Sequence, residues 1–325
     1  MATRKQRSTS RGATIPRRRA WGAAIAAATA VVSGVAIFVN AYGVRAWKQA
    51  GTSSATYTTA KNLITAVVLM ALFAALAHFG YQDDPPPRAN GSKGTTTVGL
   101  VAVGVIGGSL PFLLFFEGIS RATSTQAALL HKSLLIWVAI LAIPLLGERL
   151  SGVHWGAIGL IILGQVALTG GIAGLALGSG ELMVLAATIL WASEVIIAKR
   201  LLGAVTPRRV AIWRMGLGSA ILVVFIVITG QIGQLAALGG REWLIVLGTS
   251  VVLAAYVASW YTALARAQAV DVTAVLVLGA LVTAGLRYGF GGVTLPSVVG
   301  LGLLAAGTAL LVWHGLRQRP TAEAL

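Results

Sequence analysis

The chain contains no cysteine and only nine acidic residues in 325 positions. Without cysteine it has no disulfides, no thiolate zinc sites and no cysteine nucleophile. Charged residues of both signs make up 10%, against roughly 25% in an ordinary soluble domain. So little polar surface cannot coat a soluble particle of this size, which argues against a cytosolic enzyme, a secreted domain and a disordered chain. Catalytic signatures are missing as well: there is no phosphate-binding P-loop, no dinucleotide fingerprint and no G-x-S-x-G elbow. The four histidines, His78, His131, His154 and His314, lie in different segments without metal-ligand spacing. No cofactor and no metal is expected, and uphill work must draw on a gradient or an exchange.

Apolar residues are what the chain has in excess. They make up 57% of it, with 40 glycines and a mean hydropathy of +0.84. Crossing about 30 Å of hydrocarbon takes about 20 apolar residues in a helix. Ten stretches qualify: 22–42, 58–79, 98–119, 124–146, 152–170, 180–202, 207–229, 242–265, 270–290 and 294–314. Strands of a closed barrel would alternate in polarity, and these runs do not. The expected fold is therefore all-α, a polytopic membrane protein of about ten transmembrane helices with the lipid bilayer as a partner. The longest internal loop, Tyr81 to Thr97, carries three consecutive prolines and many polar residues, which oppose both helix and burial.

The net charge of +16 suggests nucleic acid, but the basic residues lie mostly in short segments between apolar runs rather than on one folded face. No nucleic-acid partner is expected. With the N-terminus in the cytoplasm, 17 of the 25 Lys and Arg fall on that side. Arg45, Lys48, Arg121, Arg241 and Arg287 fall on the other, and Lys61, Lys132 and Arg214 lie within spans. This asymmetry predicts a cell-membrane protein with both termini cytoplasmic. The basic N-terminus before an apolar run also resembles a secretory signal, but the run is long and lacks a convincing small-x-small cleavage site, so it reads as a retained first helix.

The two halves resemble each other. AATAVVSGVAIFV (27–39) parallels AATILWASEVIIA (186–198), and SRATSTQAALL (120–130) parallels ARAQAVDVTAV (265–275). Gly159-x4-Gly164 parallels Gly302-x4-Gly307, while Lys61 and Arg214 stand at corresponding places in spans 2 and 7. Five spans per half is an odd number, so the halves lie in opposite senses in the membrane. Inverted repeats are a hallmark of secondary transporters, with the substrate near the midplane between them. The expected organisation is a basic tail (1–21), two five-helix repeats (22–170 and 171–314) and a short C-terminal tail (315–325).

At this point a family resemblance becomes visible. AALLHKSLLIWVAILAIPLLGERLSGVHWGAIGLIILGQVAL (127–168), with its LGERL turn and Gly-rich following helix, resembles the end of an EamA-type repeat of the drug/metabolite transporter superfamily. ELMVLAATILWASEVIIAKRLL (181–202) resembles the start of the second repeat. The resemblance implies ten helices, inverted repeats and export or exchange of small metabolites. Two features depart from it. The proline often found in span 4 about thirteen residues before the turn glutamate is replaced by Leu135-Ile136, with Pro144 closer to the turn. The second half lacks the equivalent acidic turn, and Gly291-Gly292 stands nearby.

Ionisable groups within a bilayer cost about 2.5–3.5 kcal/mol each on insertion scales, and persist when paired, hydrated or near an end. Lys132, about eight residues into span 4, is the sharpest candidate for binding a carboxylate or phosphate; the alternative is a structural partner for a carbonyl or a buried acid. Adjacent His131 can serve as a titrating group near neutral pH or as a hydrogen-bonded packing residue. Glu194 and Arg214 lie at similar depth in a hairpin, which predicts an ion pair or a shared polar cavity. Burial disfavours a charged carboxylate, which makes Glu194 the candidate for a coupling proton. Lys61 with Asn62 opens span 2, where snorkelling and ligand contact both fit, and Asn40 is at comparable depth. Glu117 and Arg121 have the spacing of a local helical pair. Trp191, Trp213, Trp137, Trp260 and Tyr261 can wall a cavity or pack the core. Trp21, Trp47, Trp243 and Trp313 sit where interfacial belt residues belong. Gly104, Gly107, Gly108 and Pro111 predict a kink in span 3, while Gly152-x3-Gly156 and Gly285-x3-Gly289 read as small-residue packing patterns.

The resulting expectation is a secondary transporter moving a small-molecule solute by alternating access, driven by a coupling proton or counter-solute. Its basic interior favours amino acids, organic acids and related anionic or zwitterionic solutes. The rivals are efflux of hydrophobic drugs, a membrane-embedded enzyme acting on lipid-linked substrates, and a scaffold or sensor.

Overall fold

The computed structural model describes residues 14–81, 93–122, 124–168, 177–291 and 297–317. They form α1 (Thr14–Gln49), α2 (Ser54–His78), α3 (Lys93–Gly108), α4 (Leu110–Arg121), α5 (Ser124–Lys132), α6 (Leu134–Leu146) and α7 (Gly152–Leu168) in the first half. The second half has α8 (Ser179–Leu201), α9 (Pro207–Ile228), α10 (Gly240–Arg266), α11 (Ala269–Leu276), α12 (Gly279–Gly291) and α13 (Val298–Arg317). A short 3-10 turn, Ile232–Ala237, joins α9 to α10. Eight stretches are long and apolar enough to cross a membrane; Gly152–Leu168 and Val298–His314 are shorter apolar helices and complete the expected ten.

The start and stop residues follow local chemistry. The Ser53 side chain caps α2 by accepting the Thr56 N–H, and Pro207 opens α9, where a missing N–H costs nothing. Gly147, at φ 67°, ends α6 in the left-handed region. Three spans are each built from two helices: α3 and α4 around Ser109, α5 and α6 around Ser133, and α11 and α12 around Val277–Leu278. The first break is the expected kink, because Pro111 lies just inside α4 and has no N–H for the carbonyl four residues back. The other two contain no proline. The helix begins at Lys93, so the last residues of the expected long loop are helical; residues 82–92 of that loop lie outside the described residues.

The packing obeys an exchange of halves. α1 packs on α10 as α8 packs on α4; α3 packs on α9 as α10 packs on α2; α6 packs on α8 as α12 packs on α1. The pairs α2–α9, α7–α13 and α6–α11 join equivalent spans across the approximate two-fold axis. These are two inverted five-span repeats. Glycine permits the closest crossings. A Cβ on Gly164 would stand 2.8 Å from the Gly300 carbonyl oxygen, and one on Gly307 2.8 Å from that of Ala157, so the repeat-related Gly164 and Gly307 zip α7 to α13. By contrast, Gly152, Gly156, Gly285 and Gly289 face open space, so neither Gly-x3-Gly pattern makes the close helix contact expected of it.

Contacts define two ends. Trp47 meets Glu242, and Ser53 meets Gln231 and Gln234, at what we call the distal end. The 147–151 turn, the end of α8, the α10–α11 connection and His314 gather at the terminal end, with the ends of the described chain.

Candidate functional site

The broken third span organises the interior. Because Pro111 donates no hydrogen bond, the Gly107 carbonyl is left without its helical partner. Two side chains from the second repeat take it: Trp191 Nε1 donates to it at 3.2 Å and Arg214 Nε at 3.3 Å. Gly107 must lack a side chain here, since a Cβ would fall on Glu194 and within 3.2 Å of Arg214 Nε. A sequence-visible kink therefore creates an acceptor that holds an arginine inside the protein.

Lys61 lies close by. It is 2% exposed, so it does not snorkel out. Its ammonium donates to Asn40 Oδ1 at 3.3 Å and lies 5.4, 5.8 and 5.0 Å from the ring centres of Tyr57, Phe112 and Phe116. Three aromatic faces and one amide oxygen replace water around the cation. The Tyr57 hydroxyl donates to the same Asn40 oxygen at 2.9 Å. The Arg214 guanidinium lies 5.9 Å from the Phe112 ring centre and 5.9 Å from that of Tyr261. Lys61 and Arg214, from corresponding spans of the two repeats, thus meet at one ring.

Glu194 is 1% exposed and accepts a hydrogen bond from the Tyr261 hydroxyl at 2.5 Å. The expected direct ion pair with Arg214 does not form: Tyr261 takes the carboxylate and the Gly107 carbonyl takes the guanidinium Nε. The shared polar interior does form, with Tyr261 touching both ions. Among the described residues, several buried polar atoms have no hydrogen-bond partner, including Arg214 Nη1 and both Asn62 side-chain polar atoms. Such atoms are rare in folded interiors, where they mark places that receive water, an ion or a ligand.

The other candidates divide. His131 packs against Phe115 and Trp191, with ring centres 4.9 and 5.2 Å apart, and joins the cluster through Trp191; its Nδ1 lacks the hydrogen bond expected of a packing histidine. Lys132 ends α5, half-buried, next to His131, and among the described residues no hydrogen bond or ion pair ties it to Lys61, Arg214 or Glu194. Trp213 is partly buried and packs against the large apolar core. Trp137 donates to Ser133 Oγ at 3.1 Å across the α5–α6 break, and Trp260 stacks on Tyr256 at 6.1 Å. Trp47 is 1% exposed, locked between Tyr57 and Trp243 instead of facing an interface; Trp243 and Trp313 are exposed, and the Trp21 side chain lies outside the described residues. Glu117 and Arg121 form the expected local pair at 2.6 Å, both about half exposed.

Two groups escaped the sequence reading. Glu148, the acid of the LGERL turn, accepts the backbone N–H of Ala269 at 2.6 Å and of Val270 at 3.2 Å. Burial pushes its pKa up from the usual value near 4.5; the two N–H bonds and nearby Lys199 oppose the shift and Asp271 reinforces it. His154 and His314, 160 residues apart in sequence, stand edge to face at 4.9 Å with the Ser151 hydroxyl between them. Their meeting depends on the packing of α7 against α13, which no local motif announces. Among the described residues, no group of three or more His, Asp or Glu side chains could hold a metal ion.

A polytopic membrane protein of two inverted repeats with charges facing its interior has the form of a transporter. Comparison with known families agrees: the EamA-like transporter family matches residues 20–170 and again 178–313. The chain belongs to that family and is a membrane transporter of the drug/metabolite type. A solved structure described only as "Crystal structure of protein" is similar in fold over 92% of this chain and 100% of its own, with a TM-score of 0.69 at 16% identity. No curated protein matches significantly.

Proposed function

We propose that the protein is a secondary transporter that carries small anionic or zwitterionic metabolites, such as amino acids and organic acids, across the cell membrane by alternating access, in export or exchange. One observation carries this reading. Lys61 and Arg214 are buried around Phe112 and, among the described residues, Glu194 is the only acid beside them, while Arg214 Nη1 and the Asn62 amide have no hydrogen-bond partner. A buried cation without a matching acid is costly, and an anionic solute would supply the missing charge and acceptors. Trp191 and His131 extend the site with ring faces. The Glu194–Tyr261 pair is the natural carrier for a coupling proton, and the basic tail supports cytoplasmic termini.

Purified protein in proteoliposomes, with and without a pH gradient, tests this reading. Amino acids or organic acids should move, and Lys61→Ala or Arg214→Ala should cut that flux at least about tenfold, as expected for one lost charge-assisted contact. Movement of lipophilic cations alone would overturn the reading. The second reading, efflux of hydrophobic drugs, draws on the contiguous rings of Phe112, Phe115, Phe116 and Trp191. It predicts flux that survives Lys61→Ala and falls in Trp191→Ala.

A further inference from the structure

The connection between α10 and α11 is held from both sides by ions of opposite sign. On one side, Glu148 of the first repeat accepts the N–H groups of Ala269 and Val270, the first two residues of α11. These donors have no partner within their own helix, and the positive end of a helix favours a carboxylate. On the other side, Lys199 near the end of α8 donates to the carbonyls of Leu264 at 2.7 Å and Ala267 at 2.6 Å, where α10 ends. Orphan carbonyls at the negative end of a helix favour a cation. Each ion therefore matches the helix end it grips.

Further polar groups line the same connection. Asp271, two residues into α11, lies 3.4 Å from His154 Nε2, and His154 Nδ1 is 2.8 Å from the Ser151 hydroxyl. Arg200, next to Lys199, donates to the Leu145 carbonyl just before the Glu148 turn. α11 is an eight-residue half-helix, separated from α12 by the Val277–Leu278 break. The Lys199 contact lies about one turn from the central site: Tyr261, bonded to Glu194, precedes the Leu264 carbonyl held by Lys199 by three residues.

The sequence of the opposite repeat offers no such pair of ions at the corresponding positions. In the alignment of 27–39 with 186–198, Asn40 stands where Lys199 stands. Between Asp271 and Glu323 the chain has no acid at all, so the turn that corresponds to the Glu148 turn has none to offer.

We infer that Glu148 and Lys199 form the gate at the terminal end of the transport cycle: their grip on the α10–α11 connection must release before the Glu194–Arg214 site opens to that side. This inference rests on the alternating-access reading. The chain has no cysteine, so single thiols report on it without background. Thr273→Cys, at a 2% exposed position on α11, reports the terminal end; Thr56→Cys, at a fully buried position, reports the distal end. Each is modified with a membrane-impermeant maleimide in the full-length protein reconstituted in vesicles.

Glu148→Ala should speed modification of Thr273→Cys about tenfold, the factor expected for one charge-assisted contact. Lys199→Met should act in the same direction, and Glu148→Gln, which keeps one acceptor, should act more weakly. A matching slowdown at Thr56→Cys supports both the gate and alternating access, and loosened packing alone would not produce it. Faster Thr273→Cys with unchanged Thr56→Cys is what loosened packing alone gives and overturns the gate. If Glu148→Ala fails to fold, unchanged Thr273→Cys rates in folded Glu148→Gln and Lys199→Met overturn the gate, while the solute reading stands or falls on its own flux assay.

Discussion

The two ends of the molecule are closed by different chemistry. At the distal end, inter-repeat contacts are neutral: Gln234 Oε1 accepts the Ser53 N–H and the Thr56 hydroxyl, each at 2.8 Å, and Trp47 Nε1 donates to the Glu242 carbonyl at 3.2 Å. At the terminal end, the inter-repeat contacts are made by ions, Glu148 on the first N–H groups of α11 and Arg200 on the Leu145 carbonyl, while Lys199 grips the end of α10 within the second repeat. An approximate two-fold axis relates the ends in packing and leaves them unequal in chemistry. Backbone symmetry requires only small residues at the crossings, whereas polar contacts depend on single side chains that each repeat has chosen separately. A neutral hydrogen bond contributes about 1 kcal/mol net and one to a charged group about 1.5–3 kcal/mol. The ionic end should therefore be the harder one to open.

The largest effect is expected where both ends depend on one contact. At the α3–α9 crossing, a Cβ on Gly218 would stand 2.5 Å from the Gly108 backbone. Gly218→Leu forces these backbones apart and should cost about 3 kcal/mol or more, from overpacking and strain. Loss of the monodisperse, cooperatively melting species in detergent would show it, and an unaltered melting curve would mean that the two helices do not cross there. Next comes the contrast itself. Lys199→Met removes an ammonium from two carbonyls and should cost about 2–3 kcal/mol, whereas Gln234→Ala should cost about 1–2 kcal/mol for two neutral bonds. Equal losses in denaturant unfolding would erase the difference between the ends.

The smallest effect is on pH dependence. Burial raises the Glu148 pKa above its usual value near 4.5, so the folded protein holds this proton more tightly than the unfolded chain. The stability it contributes is complete below about 4.5 and is lost as pH rises through the folded value. The melting temperature of the wild type relative to Glu148→Gln should therefore fall as pH rises from about 4 to 7. A difference that stays flat or grows with pH would show that the two N–H bonds and Lys199 outweigh burial.

How far the site was legible depends on range. The span 3 kink could be read from Pro111, because a missing N–H is a local fact, and with it the freed Gly107 carbonyl. The breaks at Ser133 and at Val277–Leu278 carry no proline and could not be read. Lys132 looked deeper than Lys61 by residue count, but depth along a helix says nothing about rotation around it. The packing of α5 on α8 brought His131 to Trp191, while the rings of Tyr57, Phe112 and Phe116 enclosed Lys61. Glu148 stood in a recognisable turn, yet its partners lie 121 and 122 residues away.

By itself, the order of amino acids determined that this chain crosses a membrane about ten times in two related halves. Hydrocarbon leaves a span little choice: its backbone must satisfy itself as a helix, and its side chains must be apolar over a fixed length. Only the tertiary structure decided which ions face one another and which end is clamped. Those outcomes depend on helix rotation and on contacts between distant segments, and apolar periodicity does not encode them in a chain whose lipid-facing and protein-facing surfaces are alike in hydrophobicity.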